Sequence, residues 1–237
     1  MTEEKTPRKE PNSPLTRQEI HHSTNERVHL IAKEFTDGFN FLGHYPKSVT
    51  IFGGVRVNEN DEYYIMARSL GRRIVKDLNY AVFTGGGPGI MEAANRGAFE
   101  AGGESLGLTI ELPTEQDNNK YLTKRLDFYY FFSRKTCLYF SAEAYIIFPG
   151  GYGTLDEFFE LVTLIQTGKI ERVPLILVGS EFWKPWDKII KDQLLGQKMI
   201  DENDVDLYKI IDNEDEILDI IRKVPVKNGI KFTHTNN

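Results

Sequence analysis

The sequence predicts an α/β fold: a single domain with a parallel sheet flanked by helices, preceded by an N-terminal helical extension. Three observations carry that expectation. From Ser48 onward, short β-branched or aromatic runs alternate with longer amphipathic stretches, the pattern of a parallel sheet covered by helices. The apolar segments between Val49 and Val178 follow one another evenly, which fits one core better than two. Glycine clusters come directly after three of the apolar runs, where a chain must turn sharply from strand to helix.

The elements follow in order. Residues 1–14 are charged and contain proline, and they are expected to form a disordered leader. Residues 15–47 form the extension, in which Val28, Ile31, Phe35 and Phe39 have the spacing of a helix or a helix pair. Strands are predicted at Val49–Phe52, Ala81–Thr84, Leu106–Ile110, Phe128–Phe132, Tyr145–Phe148 and Leu175–Val178. Helices are predicted at about 61–78, 88–101, 133–142, 154–167 and 181–195, with Gly102 and Gly168 where C-terminal caps fall, and at 214–223. The domain is expected to span 48–225, and 226–237 to be a polar tail.

Composition narrows the function classes. The 237 residues hold 29 Lys and Arg against 35 Asp and Glu, a net charge of −6. That balance gives no general attraction to nucleic acid or to an anionic membrane. The single Cys137 excludes an internal disulfide and a multi-cysteine metal site. No apolar run approaches the ~20 residues of a membrane helix, and the first residues lack a signal-type apolar region. The expectation is a soluble cytoplasmic protein without nucleic-acid or membrane partners.

In an open parallel sheet, ligands sit at the carboxyl ends of the strands, where the strand order reverses. The glycine clusters Gly53-Gly54, Gly85-Gly86-Gly87-Pro88-Gly89 and Pro149–Thr154 all fall there. The most informative stretch is Pro149-Gly150-Gly151-Tyr152-Gly153-Thr154-Leu155-Asp156-Glu157. Its glycines let the backbone approach a ligand, and the helix that follows offers free N–H groups and a partial positive charge, which suits a phosphate. Gly86, Gly87 and Gly89 form a second candidate cradle, with Pro88 suited to a first helical turn; the alternative is a tight turn and nothing more. Neither the G-x-G-x-x-G fingerprint nor a P-loop is present.

Glu157 beside this turn is a candidate for a catalytic or ligand role. The competing explanation is a capping box, Thr154-x-x-Glu157, in which both side chains satisfy free backbone N–H groups. Asp156 and Glu160 fit a solvated acidic face. Ser133-Arg134-Lys135 lies at another strand-to-helix junction, with Ser133 as the expected N-cap. Cations at a helix start oppose the dipole, which hints at a partner: Arg134 can hold a phosphate or a base edge, and Lys135 can act as a point charge. The alternative is two surface cations. Arg56 is a weaker phosphate candidate, and Glu92 and Glu111 are open as ligand contacts. Cys137, Trp183, Trp186 and the aromatic runs Phe128–Phe132 and Phe158-Phe159 are expected in the core.

Gly85-Gly-Gly-Pro-Gly-Ile-Met-Glu92, Arg134-Lys135 and the Pro149–Glu157 motif occur in the order and approximate spacing of the LOG (LONELY GUY) family, which the chain resembles over about residues 50–180. That family was long labelled possible lysine decarboxylase and is associated with phosphoribohydrolase activity on nucleoside 5′-monophosphates, including cytokinin ribotides. The resemblance implies a Rossmann-like fold and a catalytic pair at Arg134 and Glu157. Together with the turns read above, the expectation is substrate binding through Gly86, Gly87, Gly89, Lys135, Gly150, Gly151, Gly153 and Thr154. The resemblance also implies a homodimer or higher homo-oligomer with its site near a subunit interface. No metal or cofactor is called for. The first loop departs from the G-S-S type turn common in the family, since Gly53-Gly54-Val55-Arg56 stands there, and the extension lies outside the minimal family domain. Two other readings stay open: a nucleotide or cofactor carrier without hydrolysis, and the old decarboxylase label, which would need pyridoxal phosphate on Lys135.

Overall fold

The computed structural model describes residues 17–111, 118–140 and 142–226, with side chains from residue 24 onward. Its strands are β1 (Ser48–Phe52), β2 (Ala81–Thr84), β3 (Ser105–Ile110), β4 (Lys124–Phe128), β5 (Ala144–Ile147), β6 (Leu175–Leu177) and β7 (Lys209–Ile210). They form one sheet in the order β4-β3-β2-β1-β5-β6-β7, paired in parallel throughout. The helices are α1 (Arg17–Gly43), α2 (Glu62–Leu78), α3 (Ile90–Glu100), α4 (Phe131–Tyr139), α5 (Tyr152–Gln166), α6 (Ser180–Ile189) and α7 (Glu214–Arg222).

Alternation along each strand sends side chains to two separate cores. Val49, Ile51, Val82, Ala144 and Ile146 face the layer of α2, α3 and α7, where they meet Leu70, Ile74, Ile90, Ala94 and Ile217. Phe52, Phe83, Tyr145, Ile147 and Leu177 face the other layer, with Phe39 and Leu42 of α1, Leu138 of α4, Phe158 and Leu161 of α5 and Trp183 of α6. Both faces of the sheet are therefore covered, as a parallel sheet requires. The chain adds strands outward from β1 to β4, then returns to β5 on the far side of β1. The reversal point lies between β1 and β5, and their carboxyl ends open the crevice.

Several expectations need correction. The fourth strand is Lys124–Phe128 rather than Phe128–Phe132, and α4 begins at Phe131. Its Lys-Arg-Leu-Asp-Phe sequence is mostly exposed on the sheet edge, so it lacks the apolar run that marks an inner strand. The aromatic run is also split: Phe128 is buried, whereas Tyr129, Phe131 and Phe132 are exposed. The two-residue β7 has no counterpart among the expected strands, because so short a pairing leaves no pattern. The expected helix at 181–195 is α6 followed by a π-helical segment, Ile190–Leu195. Gly102 and Gly168 do follow helix ends in the left-handed conformation, with φ of +75° and +67°. The extension contains one continuous helix over Arg17–Gly43. The expected leader, and the tail from residue 227, lie outside the described residues. No described helix is long and apolar enough to cross a membrane.

Candidate functional site

The carboxyl ends of β1, β2 and β5 each run into a glycine turn, and backbone hydrogen bonds tie the turns together. Gly54 N–H donates to Pro149 O at 2.9 Å, and Ile90 N–H donates to Gly54 O at 3.0 Å. Gly89 has φ +70°, and a Cβ on it would overlap Gly54 O; only glycine closes that contact without strain. A Cβ on Gly150 would overlap Thr154 Oγ1 and reach within 3.0 Å of Gly54 N. The three loops therefore converge at the strand-order reversal.

Helix α5 starts at Tyr152 with Gly151 as its N-cap, and no side chain caps it. The N–H groups of Gly151, Tyr152, Gly153 and Thr154 thus have no intrahelical acceptor, and the helix dipole adds positive charge at the same place. This corrects the capping-box explanation. The helix starts sooner than the apolar periodicity suggested, so Thr154 lies buried inside its first turn and Glu157 in its second. Glu157 is left without a capping task.

Glu157 keeps a partial opening to solvent, while protein crowds its carboxyl group. Burial pushes that carboxyl up to about 7, against the attraction of Arg134 and then Lys135. No hydrogen bond from the described residues competes with this burial. Arg134, on α4, is 8% exposed. Its Nε donates to Leu108 O at 2.7 Å, so the guanidinium crosses β3 toward the turn after β2. A Cβ on Gly85 would overlap Arg134 Nη2, which places the guanidinium against that turn. Burial lowers the Arg134 pKa and Glu157 acts in the opposite direction. The cation and the carboxyl group thus sense each other across the crevice.

Ser133 is not the N-cap; Tyr130 is. Ser133 stands within the first turn of α4, with its hydroxyl oxygen 2.9 Å from Tyr130 O. Lys135 turns to α5, where its ammonium pairs with Asp156 at 2.6 Å and with Glu160. Asp156 and Glu160 therefore hold Lys135 rather than forming an idle acidic face, and Glu160 also accepts from Tyr139 Oη at 3.0 Å. Burial opposes the charge of Lys135, but the bonds from Asp156 and Glu160 outweigh it and raise its pKa.

The second cradle is braced from behind. Gly86 N–H donates to Thr84 Oγ1 at 2.9 Å, so this N–H already has an acceptor. Asn119 donates its backbone N–H to Gly86 O at 2.9 Å and its amide to Gly87 O at 3.1 Å. Thr84 Oγ1 and Asn119 Nδ2 both donate to Asn95 Oδ1, at 2.6 and 3.0 Å. Glu92 accepts from Tyr64 Oη at 3.0 Å. Arg56 and Glu111 are exposed, and Cys137 is buried, with burial pushing its thiol up to about 12.

A family model described as "possible lysine decarboxylase" matches residues 91–221. The chain belongs to this family, the LOG family. Its LOG-family relatives include the cytokinin riboside 5′-monophosphate phosphoribohydrolase of Rhodococcoides fascians, 30% identical over 142 residues, which span 59% of this chain and 72% of that protein. The pyrimidine/purine nucleotide 5′-monophosphate nucleosidase of Escherichia coli K12 is 30% identical over 156 residues, but the match spans only 32% of that larger protein. Among solved structures, the molybdenum cofactor binding protein of Rippkaea orientalis shares the fold with a TM-score of 0.55 and 21% identity, covering 75% of this chain and 96% of that one. The named enzymes among these relatives cleave nucleotides.

The old family label can be tested against this LOG-family site. A lysine that forms a Schiff base must lose its proton readily, whereas Lys135 is held charged between two carboxylates. The residues beside the motifs do not fit pyridoxal phosphate. The brace from Asn119 had no signal in the sequence, because it lies beyond any periodic element. The free N–H groups of α5 did have one, in the Gly-Gly-Tyr-Gly-Thr run.

Proposed function

We propose that the protein hydrolyses the N-glycosidic bond of a nucleoside 5′-monophosphate, of purine or cytokinin ribotide type, releasing free base and ribose 5-phosphate. The observation that carries this reading is Glu157, a carboxyl held at about 7 in the second turn of a helix whose first turn offers free N–H groups. The 5′-phosphate anchors on Gly150, Gly151, Gly153 and Thr154, with Gly86, Gly87 and Gly89 bounding it from the β2 side. Binding energy spent there fixes the sugar over Glu157.

In the reaction, a water oxygen attacks C1′ and Glu157 takes its proton. The C1′–N bond breaks, its electron pair leaves with the base, and the base picks up a proton. Glu157 also stabilises the oxocarbenium-like sugar. A carboxyl titrating near neutrality matches the demands of a general base. Arg134 offsets the charge on the departing base. Lys135, paired as it is with Asp156 and Glu160, ties α4 to α5 rather than gripping substrate. A homodimer or higher homo-oligomer is part of the proposal: Tyr152, between Gly151 and Gly153, is 93% exposed, and a second subunit would cover it.

The test is incubation with a panel of nucleoside 5′-monophosphates and the matched nucleosides, with chromatography for free base. Release from the monophosphates alone is expected. Saturable nucleotide binding without release would instead select a carrier or binding protein, in line with the cofactor binding named for the fold neighbour of Rippkaea orientalis.

A further inference from the structure

Arg134 must leave α4 at a fixed angle to reach the crevice, and α4 begins without a capping side chain of its own. The cap comes from α1. Glu34 accepts from Tyr129 N–H at 2.6 Å and from Tyr130 N–H at 3.4 Å, and Ser133 Oγ donates to the same carboxylate. A carboxylate there satisfies N–H groups at the helix start and favours the positive end of the dipole. The packing below it is close. Phe35 meets Phe132 at 6.5 Å between ring centroids, Phe39 meets Phe140 at 5.9 Å, and a Cβ on Gly38 would overlap Cys137 Sγ. Helix α1 thus clamps both ends of α4.

We infer that Glu34 is a positioning residue for Arg134, so that the N-terminal helix sets the activity of the site. Glu34 lies outside the residues 91–221 that match the family model. Arg134 follows Ser133 directly, and its far end is fixed by Leu108 O. Releasing the near end leaves the guanidinium pinned at one point and free to swing. The phosphate cradle on α5 has no bond to Glu34, so nucleotide binding stays as it is. The inference rests on the proposed hydrolysis.

The experiment compares wild type, Glu34→Gln, Arg134→Lys and the double variant for base release from the best monophosphate, with thermal unfolding in parallel. Gln keeps the shape but replaces one acceptor by a donor, against groups that all donate. A fall in kcat of about tenfold or more with KM within about twofold is expected. In the Arg134→Lys background, Glu34→Gln should have no further effect, because the two residues act as one unit. Unchanged kcat in a folded Glu34→Gln protein, or an equal fall in both backgrounds, overturns the inference while the proposed hydrolysis stands. No release by wild type overturns both.

Discussion

Replacing Glu157 with Gln should exchange activity for stability, and the size of the exchange follows from the site. The carboxyl sits at about 7 in the folded protein against an ordinary 4.5. A raised folded-state pKa means that the native protein holds this proton more tightly than the unfolded chain. Stability from this group is therefore complete below the unfolded pKa and is lost as pH rises through 7. With the carboxyl fully ionised, at pH about 8.5, the cost is ~3 kcal/mol at most, reduced by the contact Glu157 keeps with solvent. At pH about 5 the same linkage leaves a cost of roughly 1 kcal/mol. Gln has no charge to bury. Urea unfolding at both pH values should show Glu157→Gln more stable than wild type at the higher pH, with the gap narrowing at the lower one. A gap independent of pH, or a variant less stable than wild type at pH about 8.5, would refute the argument that burial sets this group.

Other substitutions separate the parts of the site. Gly85→Ala places a methyl against Arg134 Nη2, and a displaced guanidinium should lower kcat by about a hundredfold, measured by initial rates; unchanged kcat would mean that Arg134 is not needed where it lies. Gly153→Ala meets no neighbour within 4 Å and sits in the first turn of α5, so thermal unfolding should show equal or slightly higher stability, by up to about 1 kcal/mol. Its methyl borders the proposed phosphate cradle, so calorimetric nucleotide affinity should fall, and unchanged affinity would move the phosphate elsewhere. Asn119→Ala removes the donor to Gly87 O and Asn95 Oδ1 and should destabilise the fold by about 1–3 kcal/mol in urea unfolding; a loss below the error of the assay would show the brace to be dispensable.

How far the molecule was legible depended on whether local pattern or long-range geometry decided each feature. The inner strands β1, β2, β3, β5 and β6 are buried almost throughout because both faces are covered, so their apolar and hydroxyl-bearing runs, free of charge, stand out in one dimension. The edge strand β4 carries Lys124, Arg125 and Asp127 in the open and was displaced onto the aromatic run beside it. Gly150, Gly151 and Gly153 were legible as a strand-to-helix turn because they precede a periodic helix. Where that helix begins was not, since a cap at Thr154 and one at Gly151 differ only in the backbone conformation of three residues. Contacts that join distant segments left no trace: Glu34 meets Ser133 across 99 positions, and Asn119 meets Gly87 across 32.

The most direct test of the proposed mechanism is single-turnover base release from the best monophosphate by wild type and by Glu157→Gln, with nucleotide affinity measured alongside. If Glu157 takes the water proton, release should slow by about 10²- to 10⁴-fold while the dissociation constant stays within about threefold, because the proposed phosphate anchor is a set of backbone N–H groups that the substitution leaves alone. Release at the wild-type rate in a variant that binds nucleotide would contradict the assignment of Glu157 as the base.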